Sequence, residues 1–210
     1  MSGERGKRLA TYYGARYGDR TAGELNASAR MRAELFASWI GTGKRLLELG
    51  CGSGSLLEAY AEGNRVTAMD IDTPALGARR QRLGVETVWG DFATELPFAD
   101  GSVDVVVAGE TLEHMPYPPV FLGEVRRVLA AGGLFAGSVP NAYRYRNRLR
   151  VLSGKPIDTD SNAPAVLLAG LAGRAARREL HRRGDRADLG TMVGARPSLF
   201  AHRFAWRCRR

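Results

Sequence analysis

A strand that stops in three alternating glycines constrains the fold of this chain more than any other feature. Residues 46–54 read LLELGCGSG, so an apolar run ends at Gly50, Gly52 and Gly54. A strand that turns into a helix at a glycine loop offers free backbone N–H groups at the positive end of the helix. The segment therefore predicts a strand–loop–helix unit whose backbone is approached closely.

Strands and helices alternate along the chain around this loop. Apolar and β-branched runs predict strands, and helical spacing predicts the helices between them. The predicted strands are 45–49, 65–70, 85–89, 103–109 and 134–140, and the predicted helices are 25–40, 55–62, 73–83 and 120–129. This alternation predicts a parallel sheet that helices cover on both faces. In the first helix the candidate inward positions are Leu25, Met31, Leu35, Phe36 and Trp39.

The 210 residues are enough for one domain with a sizeable core. Charge is distributed unevenly along them. The net charge is +5 over residues 1–45, −7 over 46–140 and +11 over 141–210. A basic end of this kind suits nucleic acid, an anionic substrate or a membrane surface, and a solvated Arg-rich surface is the plainer interpretation. The 28 Arg against 3 Lys suggest a GC-rich bacterial genome.

Features of secreted and membrane proteins are missing from the sequence. The amino terminus has no apolar core of a secretory signal, and no run is long enough to span a bilayer. The two cysteines, Cys51 and Cys208, make neither a disulfide framework nor a metal knuckle. We therefore expect a cytoplasmic protein.

Glu48 precedes the glycines and completes a longer pattern. The dinucleotide pattern G-x-G-x-x-G would place a glycine at Ser55, so it does not fit. Acid-x-Gly-x-Gly-x-Gly, from Glu48 through Gly54, resembles motif I of the class I S-adenosylmethionine-dependent methyltransferases. The resemblance implies that Glu48 and the glycine loop bind the cofactor.

Acidic residues follow the next two predicted strands. Asp70 ends the second strand, and its carboxylate can accept hydrogen bonds from both ribose hydroxyls. Ile71 beside it can cover one face of the adenine. The resemblance implies that Asp91 accepts the adenine amino group and that the backbone N–H of Phe92 meets a ring nitrogen.

Two further segments, 96–118 and 124–141, resemble the small-molecule branch of this family, close to ubiquinone-pathway O-methyltransferases. The resemblance covers about residues 30–155. It implies an α/β, Rossmann-like, doubly wound and mostly parallel sheet. It also implies an enzyme that uses S-adenosylmethionine, releases S-adenosylhomocysteine and methylates a small molecule, with a hydroxyl oxygen as the first expectation and nitrogen or carbon as alternatives.

The run ETLEH follows the fourth strand, where the methyl group should point. In a continuing helix, Glu110, Glu113 and His114 would share one side. In the ubiquinone-pathway O-methyltransferases, which this segment resembles, a Glu-x-x-Glu-His run holds a divalent cation, and two carboxylates suit Mg²⁺. Many relatives carry the same Leu-Glu-His without a known metal, so a metal at these three residues is the less expected alternative. Otherwise His114 is a base or orienter for the acceptor, or it is simply packed. In each case Glu110 should lie beside the cofactor.

Two other residues of the core favour structural roles. Cys51 is tempting as a nucleophile, but methyl transfer from a sulfonium needs no covalent enzyme intermediate. Packing of a small side chain is therefore the better interpretation. Asp104, at the start of the fourth strand, is predicted to be structural.

The chain departs from the family pattern after about residue 155. We expect a helical cap over 1–43, a cofactor core over 44–140 and a substrate-side lobe over 141–210. Segment 143–152 alternates Arg like a strand, but the resemblance favours a helix with Tyr145, Leu149 and Leu152 inside. Residues 198–208 suit a last antiparallel strand. Segment 156–197 is a remodelled cap or a defect.

Two alternative functions remain open at the sequence level. The basic ends suggest an RNA methyltransferase or binder, although amino-methylation tetrads and stacking motifs are absent. The unusual 141–210 lobe suggests a cofactor-binding protein that has lost catalysis.

Overall fold

The computed structural model describes residues 11, 27–52, 56–93, 95–140, 145–154 and 203–210. Leu25, Gly54 and segment 156–197, to which sequence predictions were attached, lie outside the described residues. In the part that is described, no helix is both long and apolar enough to cross a bilayer.

Six strands form one sheet in the order β3-β2-β1-β4-β5-β6. The first five strands are parallel, and β6 pairs antiparallel with β5. The strands are β1 Arg45–Leu49, β2 Arg65–Asp70, β3 Glu86–Trp89, β4 Val103–Gly109, β5 Leu129–Pro140 and β6 Arg203–Arg209. This is the mostly parallel, doubly wound sheet that the sequence predicts, and β6 confirms the expected antiparallel last strand.

Helices connect the strands as the alternation predicts. They are α1 Ala27–Ile40, α2 Glu58–Ala61, α3 Thr73–Leu83, a 3₁₀ helix Leu112–His114, α4 Pro118–Val128 and α5 Tyr145–Leu152. The helix α4 begins at two prolines, whose fixed φ suits a first turn. It buries Phe121, Val125 and Val128, which lie on one helical face.

Apolar side chains fill the space on both faces of the sheet. Along β4, Val106 and Ala108 belong to one buried cluster, while Val105 and Val107 belong to the other. Successive strand residues point to opposite faces, so a strand covered on both sides must be apolar throughout. This is why a continuous β-branched run predicted the strand correctly.

The inward face of α1 differs from the prediction. Phe36 is fully buried as expected, whereas Met31 is 57% exposed, and Leu35 and Trp39 are half-buried. The buried positions of α1 are Ala29, Ala33, Phe36 and Ile40. The helix thus packs through small alanines, which allow closer approach, and this turns Met31 outward.

The segment 143–152 is helical from Tyr145, as the family resemblance suggested, but its predicted inner residues are wrong. Leu149 is 59% exposed and Leu152 is 83% exposed, while Asn147 is buried. At 100° per residue, Leu149 and Leu152 lie on the side of α5 away from Asn147. The side chain of Tyr145 lies outside the described part.

Two arginines form hydrogen bonds and ion pairs at the end of the sheet where the parallel strands begin. Arg45 donates two side-chain hydrogen bonds and its backbone N–H to Asp104, which lowers the pKa of that carboxyl to about 2. Arg127 donates to the carbonyls of Leu96 and Phe98 at 2.9 and 2.8 Å, and it pairs with carboxylates on both sides. These contacts agree with the structural role predicted for Asp104.

Candidate functional site

The candidate site lies at the carboxyl ends of β1 to β4, which are neighbours in the sheet. In an open parallel sheet, the loops that leave these ends form the usual ligand crevice. The predicted residues lie at the carboxyl ends of four different strands, and contacts between the loops bring most of them together. They are Gly50, Gly52, Asp70, Asp91 and Glu110.

Gly50 is required by a close approach from within the chain. Its φ is +74°, and a Cβ at this position would lie 2.6 Å from Thr111 Oγ1. That hydroxyl donates to the Leu49 carbonyl at 2.9 Å, so it cannot easily withdraw. The loop after β4 is therefore packed directly against the glycine loop.

Gly52 is placed differently. Its φ is +45°, and the nearest heavy atom of the described residues to an added Cβ would be the Gly50 carbonyl at 4.0 Å. The backbone at Gly52 is thus accessible from the crevice, with its N–H donated to Asp70 Oδ2 at 2.8 Å. It is the part of the described loop that a ligand can approach.

Asp70 organises two loops at once. The carboxylate is buried; Oδ2 accepts from Gly52 and Oδ1 accepts the Asp72 N–H at 2.9 Å. Each carboxylate oxygen has two lone-pair sites, so both retain capacity for a hydroxyl donor. The side chain predicted to hold a ribose is therefore also a structural anchor.

Glu48 is buried beneath the loop and has a phenol partner. Tyr60, on α2, donates its hydroxyl to Glu48 Oε2 at 2.7 Å. Burial, and then the charge of Glu48, raise the pKa of Tyr60 well above its usual value. Cys51 is buried in the same cluster, which agrees with the predicted packing role.

Asp91 and Phe92 form the turn after β3. Asp91 Oδ1 accepts the Ala93 N–H at 3.0 Å, which fixes the carboxylate close to its own backbone. The Phe92 ring is buried, and its centroid lies 6.3 Å from that of Phe121. Both predicted positions lie in the loop that leaves the carboxyl end of β3.

Glu110 follows β4 with φ +58°, a conformation that L side chains rarely adopt. Its Oε1 accepts from Ser138 Oγ at 3.0 Å, and Ser138 Oγ accepts from Arg32 Nη1 at 3.1 Å. Arg32 Nη1 also lies 3.4 Å from Glu110 Oε1. The helix α1 is thus connected to the site by an arginine.

The turn that carries Glu113 and His114 is a single 3₁₀ turn, with Glu110 before it. The turn does not continue as an α-helix, so the condition under which the three residues would share one side is not met. Glu113 is buried, and His114 is half-buried. Burial lowers the pKa of His114 below 6.5, although Glu110 opposes the shift. Among the described residues, no group of three His, Cys, Asp or Glu side chains could hold a metal ion.

Five residues at the site were missed by sequence reasoning. They are Arg32, Tyr60, Trp89, Thr111 and Ser138. Arg32 and Ser138 are 106 positions apart, and no local pattern couples them. Thr111 could have been noticed, since it lies inside the ETLEH run.

Comparisons with known proteins agree with this geometry. Residues 47–137 match the family model described as a methyltransferase domain. The chain is 40% identical over 99 residues to a fatty-acid O-methyltransferase of Mycolicibacterium smegmatis, covering 44% of this chain and 36% of the relative. It is 36% identical over 107 residues to a ubiquinone biosynthesis O-methyltransferase of Paraburkholderia xenovorans, covering 46% of each. The chain thus spans less than half the length of these relatives.

Solved structures show the same fold. A methyltransferase from Aquifex aeolicus, described as S-adenosylmethionine-dependent, is similar with a TM-score of 0.60 and 19% identity, covering 100% of this chain and 98% of that one. A Burkholderia thailandensis 1,6-didemethyltoxoflavin-N1-methyltransferase, solved with S-adenosylhomocysteine, is similar with a TM-score of 0.63 and 20% identity, covering 100% and 90%.

These findings confirm the predicted resemblance to class I S-adenosylmethionine-dependent methyltransferases. A relative of Mycolicibacterium smegmatis named as a probable S-adenosylmethionine-dependent methyltransferase, 40% identical over 101 residues and covered to 39% of its length, agrees with the predicted activity and cofactor.

Proposed function

We propose that this protein transfers the methyl group of S-adenosylmethionine to a hydroxyl oxygen of a small molecule. The observation that carries the proposal is the crevice at Gly52, where open backbone lies beside the buried carboxylate of Asp70. Two relatives named as O-methyltransferases support oxygen as the acceptor.

In this proposal the cofactor lies across the carboxyl ends of β1 to β4. Asp70 accepts from the ribose hydroxyls, Ile71 covers the adenine, and Asp91 accepts from its amino group. The backbone N–H of Phe92 donates to an adenine ring nitrogen. The remaining cofactor contacts come from the glycine loop and the loop after β4, with Glu48, Gly50, Gly52, Gly54 and Glu110 as the residues involved.

His114 is the proposed general base. Because burial lowers its pKa below 6.5, the imidazole is neutral at pH 7 and can accept a proton from a hydroxyl. Such a base contributes about 10²–10⁴-fold to the rate. Glu113, the second proposed catalytic residue, is buried on the same 3₁₀ turn as His114.

Most of the rate enhancement in this proposal comes from geometry. Transfer is an in-line displacement from a sulfonium, and holding the acceptor against the methyl group can supply about 7–11 kcal/mol of the barrier. The charge of the 141–210 segment, net +11, favours an anionic acceptor.

The cofactor is tested first, by calorimetric titration with S-adenosylmethionine, S-adenosylhomocysteine and NADH. We expect both sulfur compounds to bind and NADH not to bind. Binding of NADH alone would overturn the assignment.

The acceptor is then sought with methyl-labelled cofactor and a panel of hydroxy and carboxy compounds. Loss of turnover in His114→Ala without sensitivity to a chelator supports the base. Activity that a chelator abolishes and Mg²⁺ restores would replace the base with a metal. Full activity in His114→Ala would remove His114 from the mechanism.

A further inference from the structure

Trp89 is the last residue of β3 and holds the turn that follows β2. Its indole Nε1–H donates to the Ile71 carbonyl at 3.0 Å. The next residue, Gly90, donates its backbone N–H to the Asp70 carbonyl at 3.1 Å. Two consecutive residues at the end of β3 thus bond the carbonyls of two consecutive residues at the end of β2.

The two hydrogen bonds complement those made by the Asp70 side chain. The carboxylate fixes the turn from the glycine-loop side, through Gly52, and from its own far end, through Asp72. Trp89 fixes it from the neighbouring strand, which is the edge of the sheet. The position of the Ile71 backbone is therefore set by a side chain outside the glycine loop.

Exposure of Trp89 fits a role at the crevice. Trp89 ends a strand of only four residues, and its side chain is 46% exposed. A tryptophan side chain is large and usually contributes through burial, which this position does not fully provide. A Phe or Val at a strand end would pack equally well on an exposed edge. What Trp adds here is the N–H donor that the Ile71 carbonyl accepts.

From these contacts we infer that Trp89 is a positioning residue for the adenosine half of the cofactor. It holds the Asp70–Ile71 turn so that the Asp70 carboxylate meets the ribose and the Ile71 side chain meets the adenine. The inference rests on the proposed function, because it needs an adenosine-containing ligand in this crevice.

The test is Trp89→Phe, which keeps an aromatic ring and removes the donor. Trp39→Phe is the matched control, because Trp39 lies on the last turn of α1 and packs against Phe36 and Arg207. Affinities for S-adenosylhomocysteine and for adenosine are measured by calorimetry, and the free energy of unfolding is measured without ligand.

We expect Trp89→Phe to weaken both ligands by the same factor, about three- to tenfold, the usual effect of one lost hydrogen bond. The ratio of the two affinities should stay constant, because the amino-acid half of the cofactor is held elsewhere. Trp39→Phe should leave both affinities unchanged. A role in overall stability alone would lower the free energy of unfolding and leave the affinities unaltered.

Tryptophan fluorescence gives a second measurement that does not depend on a variant of Trp89. Because the chain has three tryptophans, the signal is measured in the double variant Trp39→Phe/Trp206→Phe, in which adenosine should protect the remaining Trp89 from acrylamide quenching. Unchanged affinity in folded Trp89→Phe, or a loss confined to S-adenosylhomocysteine, overturns the inference. A wild-type protein that binds neither ligand overturns the proposed function as well.

Discussion

Replacing Gly50 by alanine should destabilise the protein through two separable terms. The first is backbone strain, because φ is +74° and a left-handed conformation costs an L side chain about 1–2 kcal/mol. The second is steric, because the new Cβ would lie 2.6 Å from Thr111 Oγ1 and 3.3 Å from Cγ2. Overpacking of this kind costs about 1–3 kcal/mol, so we expect a total loss of about 2–5 kcal/mol.

Gly43 provides the control for the strain term. Its φ is also +74°, but an added Cβ would meet no heavy atom of the described residues within 4 Å. Gly43→Ala should therefore cost only the conformational part, about 1–2 kcal/mol. The difference between the two variants measures the contact with Thr111.

A double-mutant cycle with Thr111→Ala completes the experiment. Alone, that change removes the hydrogen bond to the Leu49 carbonyl and should cost about 0.5–1.5 kcal/mol. Combined with Gly50→Ala, it removes the atoms that the new Cβ meets, so the double variant should be more stable than the sum predicts by about 1–3 kcal/mol. Urea unfolding supplies the free energies. Equal losses for Gly50→Ala and Gly43→Ala, with no coupling to Thr111, would refute the steric argument.

Three other predictions concern charged groups. Because the folded pKa of His114 lies below the unfolded value of 6.5, its contribution to stability is present above pH 6.5 and is lost as pH falls through the folded value. The difference in the free energy of unfolding between wild type and His114→Gln, measured across pH, should follow this slope. A difference that does not change with pH would contradict the prediction. Arg45 lowers the pKa of Asp104 to about 2, so Arg45→Ala should lower the free energy of unfolding at pH 7 by a small amount, because solvent screens the pair, and by less near pH 2. An equal loss at both pH values in urea titrations would argue against the ion pair. Arg127→Met should lower the free energy of unfolding in urea by about 2–4 kcal/mol, because it leaves carbonyls and carboxylates without their donor. The affinity of the folded variant for S-adenosylhomocysteine should stay within about twofold of wild type, since Arg127 lies at the opposite end of the sheet from the site.

The elements best predicted from the sequence are those whose local pattern has one physical cause. Strands 45–49, 65–70 and 103–109 coincide with β1, β2 and β4, because burial on both faces demands a continuous apolar run. The glycines and acids located the carboxyl edge of the sheet, since Gly50 and Glu110 directly follow β1 and β4, Asp70 ends β2, and Asp91 lies two residues after β3.

The elements predicted least well depend on packing between distant segments. Met31 was placed inside because it is large and apolar, but α1 packs through Ala29 and Ala33. Shape complementarity, which a helical pattern does not encode, decides between these faces. In the same way, the pairing of Arg32 with Ser138 depends on how α1 lies against β5, which no local pattern determines.

The alternating glycines of residues 50–54 are not equivalent, and this changes what the pattern means. Gly50 is glycine because Thr111 of the chain itself occupies the space that a side chain would need. Gly52 meets no such neighbour among the described residues, and its N–H is held by Asp70. The Gly-x-Gly pattern thus combines Gly50, which allows two loops to pack together, with Gly52, whose backbone stays accessible beside the Asp70 carboxylate. The first fixes the floor of the crevice, and the second leaves room for a ligand above it, so the same short sequence supplies both rigidity and access.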